Sequence, residues 1–308
     1  MAPNIGAVSL SVSVRAESSS SGAPALLRGM RPVQWVKNIL VFAAPGAAGA
    51  LTNANALGRV TVAFVAFCCA ASATYLLNDA ADVESDRAHP VKRHRPIAAG
   101  QLSVTNARIV AVVLAVVALG LSAAVNTALL ITVIGYLALT TLYSTVLKHI
   151  VIVDMIAVSA GFLLRAVAGG VAAEVPLSGW FYLVVSAGAM LLITGKRLGE
   201  FRASHGSENT RKVLRHYSLG ILRPLLAVAA GVAVLGYILW AGVESDDVAN
   251  RSILVSLSVL PFIGATLRYM WLSDQGHAES PDRLLFTDPV TLGLGVVWVL
   301  IFGAAIYV

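Results

Sequence analysis

Charge is what this sequence has least of. Only 12% of its 308 residues are Asp, Glu, Lys or Arg, where a soluble domain carries about 25%. Half the usual charge cannot cover a water-facing surface of this size, so lipid has to be the solvent for much of the chain. Cysteine is nearly absent too. Cys68 and Cys69 stand side by side in an apolar run, which excludes a disulfide framework and leaves them as small packing residues. The N-terminal stretch has no aromatic residue and no helical period, and it carries a serine run at 18–21. It also lacks a basic segment leading into a sustained apolar core, which argues against a cleaved signal peptide. Residues 1–27 are therefore expected to be a disordered tail, ahead of one transmembrane domain at 28–308.

What is present is apolar sequence, 57% hydrophobic with a mean hydropathy of +0.80. A spanning helix needs roughly 20 mainly apolar residues. Nine windows qualify, near Val36–Leu51, Ala56–Leu77, Asn106–Ala123, Thr127–Leu147, Val151–Ala172, Gly179–Thr194, Leu222–Ala241, Ile253–Leu272 and Val290–Val308. Pro45 is expected to kink the first. With a cytoplasmic N-terminus, Arg59 and Arg251 fall outside and Arg165 within a helix, and every other one of the 22 Lys and Arg residues falls inside. Basic residues favour the cytoplasmic side, so this asymmetry sets the orientation. The two long loops, after the second and sixth windows, both lie inside, and long loops in compact proteins usually carry function. The acids Glu244, Asp246 and Asp247 form an outer loop that reads as merely solvated.

The second window ends in a cluster of oxygen-bearing side chains. Counting about 100° per residue from Asn78, Asp82 falls near 40°, Asp86 near 80° and Asp79 near 100°. Four ligand-type side chains thus share one face, while Glu84 points away. Carboxylates stacked at a helix C-terminus repel one another and oppose the helix dipole unless a cation joins them. Hard oxygen ligands without cysteine favour Mg²⁺, which typically bridges to substrate phosphates. Pro90 and Pro96 then exclude a regular helix, so Lys92, Arg93 and Arg95 sit on a folded loop, suited to gripping phosphate. The bland alternatives are a solvated acidic terminus and ordinary positive-inside charge.

These residues resemble the UbiA superfamily of intramembrane prenyltransferases. Asn78-Asp79-x-x-Asp82-x-x-x-Asp86 matches its NDxxDxxxD signature. Tyr143-Ser144-x-x-Leu147-Lys148 is similar to its YSxxLK segment, and Arg31-Pro-x-Gln-Trp-x-Lys37-Asn38 to a segment common at its N-terminus. Within it, Asp86-Arg-x-His-Pro-x-Lys92, Arg95-Pro-Ile-Ala98 and Gly161-Phe-Leu-Leu-Arg165-Ala-x-Ala-Gly-Gly170 resemble the decaprenyl-phosphate phosphoribosyltransferase family. That resemblance implies an all-α bundle of about nine transmembrane helices with cytoplasmic catalytic loops. It also implies 5-phosphoribose transfer from phosphoribosyl pyrophosphate to a polyprenyl phosphate, supplying arabinose for an actinobacterial cell wall. One departure fits this branch. Where related enzymes carry a second aspartate-rich motif, this chain has Gly195-Lys196-Arg197-Leu-Gly-Glu200-Phe-Arg202, one acid among three bases.

The expected site therefore has Asn78, Asp79, Asp82 and Asp86 on Mg²⁺, the three acids being catalytic through the metal. Lys37, Asn38, Lys92, Arg93, Arg95, Tyr143, Lys148, Lys196, Arg197 and Glu200 are expected to contact the substrates. Asp154 and Arg165 share a face of the fifth window but lie about 16 Å apart along the axis, too far to pair. Asp154 is expected to hold ribose hydroxyls or a basic residue, and Arg165 a phosphate or another helix. Gly169 and Gly170 read as close-packing positions. The competing functions are a prenyltransferase using an isoprenyl diphosphate and, from another class, a transporter. A transporter would place its polar residues nearer the bilayer midplane. The expected setting is the plasma membrane; nucleic acid is not an expected partner, and homo-oligomerisation stays open.

Overall fold

The computed structural model describes residues 22–203, 216–243, 249–281, 284 and 287–308, and every regular element among them is helical. The expected tail falls largely on residues 1–21, outside the described residues, while 22–27 belong to the first helix. The acidic outer loop at 244–247 also lies outside them. The chain opens with α1 (Gly22–Met30), a 3₁₀ segment (Pro32–Phe42) and the short α2 (Ala43–Ala47). Then come α3 (Ala54–Ala81), which passes through Asp82 into the short α4 (Val83–Ala88), α5 (Val104–Val125) and α6 (Thr127–Thr145). The second half holds α7 (Val153–Ala173), α8 (Gly179–Ala203), α9 (Leu219–Val243), α10 (Ala249–Asp274) and α11 (Pro289–Tyr307).

Among the described residues, 8 helices are long and apolar enough to cross a membrane. The nine-helix expectation is corrected at its first window. Val36–Leu51 is not one regular helix but the end of the 3₁₀ segment, α2 and a last 3₁₀ turn at Ala50–Thr52. Pro45 has no N–H to return to the Val41 carbonyl, so an α-helical ladder cannot run through it. A 3₁₀ helix rises about 2.0 Å per residue. Eleven such residues plus α2 have a summed axial length of roughly 30 Å, which is why a short apolar window still reads as a span.

Helix starts follow the sequence closely. Asn53 caps α3 by accepting from the Asn55 and Ala56 N–H groups, Ser103 caps α5, Asn126 caps α6 and Asp288 caps α11. These are the side chains that satisfy orphan N–H groups at helix N-termini. Packing follows small residues. Ala63, Ala66, Ala70, Ala71 and Ala73 of α3 are buried, and α3 lies against α5, α6 and α7. Without a hydrophobic drive between helices in lipid, such close approach supplies the packing energy. α8 packs on α9 and α10 on α11, and α7 against α8 joins the two groups.

Alternating helix direction sorts the ends. Arg59, early in α3, pairs with Glu174 at the end of α7. The opposite end gathers the C-termini of α3, α6 and α8 with the N-termini of α5 and α7, and hence nearly all the residues singled out above.

Gly169 is where the irregular entry segment docks. A Cβ there would overlap the Val41 carbonyl oxygen outright and lie 3.3 Å from Pro45 Cδ. At Gly170 a Cβ would come 2.5 Å from Leu177 Cδ2. Gly169→Ala is therefore expected to cost at least about 1–3 kcal/mol through overpacking. Thermal unfolding in detergent checks this: Gly169→Ala should lower the midpoint, whereas Gly188→Ala, which meets open space, should leave it nearly unchanged. Equal midpoints would contradict the close approach.

Candidate active site

The acidic motif does not form one stripe. α3 ends at Ala81, Asp82 leaves helical geometry (φ −91°, ψ 10°) and α4 resumes at Val83. Asp79 and Asp86 are buried, at 3% and 1% exposure. Arg31 donates to both oxygens of Asp79 at 2.7 and 2.8 Å. Arg95 Nη1 bridges Asp79 Oδ1 at 3.0 Å and Asp86 Oδ2 at 2.7 Å, and Lys92 Nζ stands 4.0 Å from Asp86. An unpaired buried carboxylate is strongly unfavourable, and these arginines supply the partners that both acids need. Arg31 also lies over the Tyr75 ring, 5.0 Å from its centre, a further favourable setting for a cation. Arg93 is exposed on the same loop and donates to His94.

Asn78 and Asp82 face elsewhere. Both are half-buried, and both line a cleft of about 280 Å³ between α3 and α6. Arg108 from α5 and Lys148 just after α6 contribute cations to this cleft, with Lys148 Nζ 4.0 Å from Asp82 Oδ2. Thr140, Thr141, Ser144 and Thr145 form its α6 wall.

A second cluster joins α7, α8 and the lead into α9. Asp154, fully buried, accepts from Arg197 Nε at 3.1 Å, lies 2.9 Å from Arg197 Nη2 and accepts from the Tyr217 hydroxyl at 2.6 Å. Arg197 Nη1 donates to Glu200 at 2.6 Å, and Lys196 lies 4.0 Å from the same carboxylate. Tyr143 of α6 is within electrostatic reach of Arg197. The Tyr217 oxygen also accepts the Ile152 N–H at 2.7 Å. Ile152 has φ +69°, a costly conformation for a β-branched residue, so Tyr217 pins a strained turn at the mouth of α7. Burial, and then its bond to the Asp154 carboxylate, push the Tyr217 phenol above its ordinary value and keep it a donor. Of the two expectations for Asp154, the basic partner is the one observed.

Asn38 and Arg165 are not brought to the cleft. Arg165, 6% exposed in mid-helix, donates to Asn38 Oδ1, the Gly161 carbonyl and the Tyr136 hydroxyl, each at 2.8 Å. A guanidinium inside hydrocarbon needs such partners, and this one ties α7 to the 3₁₀ segment and α6. Lys37 is half-buried on that same segment. Three residues escaped the sequence reading as site residues. Arg31 stood inside a quoted motif, but its partner is 48 residues away; Arg108 and Tyr217 carry no local signal at all.

The donor set of the cleft fits a divalent cation. Asn78 and Asp82 present hard oxygens one helical turn apart, and Mg²⁺ is typically held by one or two carboxylates plus substrate phosphates and water. Asp79 and Asp86 are already matched by arginine. Among the described residues no group of three or more His, Cys, Asp or Glu converges on one point, so the cleft suits a cation that arrives with phosphate rather than a closed structural metal site.

The family model described as UbiA prenyltransferase family matches residues 39–199. A decaprenyl-phosphate phosphoribosyltransferase of Corynebacterium glutamicum is 42% identical over 291 residues, covering 93% of this chain and 88% of that protein. Another from Mycolicibacterium smegmatis is 41% identical, covering 92% of each. A solved UbiA homolog from Archaeoglobus fulgidus, bound to GPP and Mg²⁺, superposes with a TM-score of 0.70 at 17% identity over 92% of this chain and 99% of that one. At that identity the likeness is one of fold.

The Asp154 hub generates a stability test. Arg197→Ala leaves Asp154 buried without its cation and is expected to cost about 3–5 kcal/mol. Adding Asp154→Asn removes the orphaned charge and should restore part of the loss. Thermal unfolding of the single and double variants checks this; a double variant no more stable than Arg197→Ala would contradict the pairing.

Proposed function

Because the chain belongs to the UbiA prenyltransferase family, we propose that it transfers 5-phosphoribose from phosphoribosyl pyrophosphate to a polyprenyl phosphate, releasing pyrophosphate. The observation that carries this reading is the cleft at the helix ends, where Asn78, Asp82, Arg108 and Lys148 meet. It supplies oxygen ligands and phosphate-binding cations together, in a chain 42% identical to a decaprenyl-phosphate phosphoribosyltransferase along nearly its whole length. The basic composition of the α8 end supports the same reading. Where a second acidic motif would bind metal, Lys196 and Arg197 add positive charge, and Glu200 and Asp154 are spent holding them.

In the proposed reaction the bond between ribose C1 and the pyrophosphate oxygen breaks, the electron pair leaving with pyrophosphate. A bond forms between C1 and an oxygen of the polyprenyl phosphate. That oxygen is already anionic, so no strong general base is required, and the acids are ligands rather than proton carriers. Asn78 and Asp82 would hold Mg²⁺, which when bound supplies charge neutralisation on the leaving pyrophosphate. Lys148 and Arg108 neutralise phosphate from the opposite wall, preorganised cations that favour the more charged transition state. Arg31 and Arg95 keep Asp79 and Asp86 in place and so set the angle of the loop carrying Lys92 and Arg93. The lipid tail of the acceptor stays in the bilayer. The site end faces the cytoplasm of the plasma membrane, the side where the basic residues gather, and the product is a precursor of cell-wall arabinan.

Purified protein given labelled phosphoribosyl pyrophosphate, polyprenyl phosphate and Mg²⁺ should release pyrophosphate and yield a lipid-borne label. EDTA should stop the reaction and added Mg²⁺ restore it, and Asp82→Ala should lower turnover by at least about 100-fold. Turnover on an isoprenyl diphosphate but not on phosphoribosyl pyrophosphate would hand the chain to the prenyltransferase alternative.

A further inference from the structure

The α6 wall of the cleft has a chemical property that neither the metal ligands nor the cations explain. Thr140 donates its hydroxyl hydrogen to the Tyr136 carbonyl at 2.8 Å, Thr141 to Leu137 at 2.8 Å, Ser144 to Thr140 at 2.8 Å and Thr145 to Thr141 at 3.1 Å. A hydroxyl has one hydrogen and two lone pairs. Once the hydrogen is committed to the helix backbone, only the lone pairs are left for anything in the cleft. The wall is therefore an array of acceptors, set opposite the Asn78 and Asp82 oxygens.

Back-bonding of this kind is ordinary for Ser and Thr in helices, and Thr132, about two turns before Thr140, does it with Ala128. What sets the four apart is their place, in one turn and a half at the site end of α6, all on the same cleft. Cations satisfy some of the acceptors around them, and Lys148 is already next to Asp82. Such a wall is matched by a ligand that brings O–H or N–H donors. A hydrocarbon chain there would leave those lone pairs without a donor.

We infer that Thr140 and Ser144, with Thr141 and Thr145 at the rim, are specificity-determining residues that read the ribose hydroxyls of the donor and disfavour an isoprenyl chain. This rests on the reading that the donor is phosphoribosyl pyrophosphate. Sugar hydroxyls are donors that an acceptor array can select, whereas phosphate oxygens are acceptors and are left to Arg108 and Lys148.

The test compares phosphoribosyl pyrophosphate with its 2-deoxy and 3-deoxy analogues in kcat/KM, for the wild type and for Thr140→Val, Ser144→Ala and the double variant. Thr132→Val serves as a back-bonded control outside the cleft. The wild type should prefer the full ribosyl donor over at least one analogue by about tenfold, the scale of one hydrogen bond. In the Thr140 and Ser144 variants that preference should collapse toward unity because the ribosyl donor falls to the level of the analogue, while the KM for polyprenyl phosphate stays put. Thr132→Val should keep the preference. Full preference in the double variant would overturn the proposal, since the hydroxyls would then be read elsewhere. Equal losses on all donors would overturn it too, by showing a purely structural role. A wild type that uses isoprenyl diphosphate and ignores every ribosyl donor fails at an earlier step, and that result sinks the parent reading separately.

Discussion

A charge buried in this molecule has almost no water to answer it, so the protein has to answer it with another charge or a full set of hydrogen bonds. That constraint organises the end of the bundle where the C-termini of α3, α6 and α8 meet the N-termini of α5 and α7. Asp79 and Asp86 are answered by Arg31 and Arg95, Asp154 by Arg197 and Tyr217, and Arg165 by Asn38, Gly161 and Tyr136. Replacing one partner leaves the other stranded, which is why such pairs are costly to break even where their net contribution to stability is small. Asp82 is half-buried, has only Lys148 beside it at 4.0 Å, and lines the cleft between α3 and α6.

One of these clusters ties the two helical groups together. Asp154 sits at the start of α7, Arg197 near the end of α8 and Tyr217 just ahead of α9. One buried carboxylate thus fixes three elements around the second long loop. On the other side, Arg31 reaches from the turn before the 3₁₀ segment to α3, and Arg165 reaches from α7 to Asn38. Together with the Gly169–Val41 contact these hold an entry segment whose own backbone is irregular. Rigidity at the cleft is in this sense borrowed from ion pairs beside it, a common arrangement when reacting groups must be positioned closely.

Much of this was legible in the amino-acid order. Apolar windows located the eight long helices, seven of them to within a few residues at both ends, because lipid imposes length and composition directly; α8 runs nine residues past its window, to Ala203, since its last turns are polar. The NDxxDxxxD run and the basic loop after it stood out as a charged cluster, and the structure brings the two together through Arg95 and Lys92; Asp154 and Arg165 stood out as charges in apolar surroundings. Other features were out of reach for identifiable reasons. A uniform 100° count placed Asp79 and Asp86 with Asn78 and Asp82, but side-chain direction follows partners, and Arg31 lies 48 residues from Asp79. The first window looked like a helix because hydropathy does not register the missing N–H of Pro45. Tyr217 was invisible because its two partners, Ile152 and Asp154, are brought to it only by the packing of α7 against α8 and of α8 against α9.

The central claim is that the acidic motif is divided, with Asp79 and Asp86 committed to arginine and Asn78 and Asp82 free to take a cation together with phosphate. Electron paramagnetic resonance with Mn²⁺ and phosphoribosyl pyrophosphate tests it most directly. Bound Mn²⁺ should be lost in Asp82→Asn, yet persist in Asp79→Asn wherever that variant stays folded. Loss of the ion in folded Asp79→Asn, with retention in Asp82→Asn, would contradict the division.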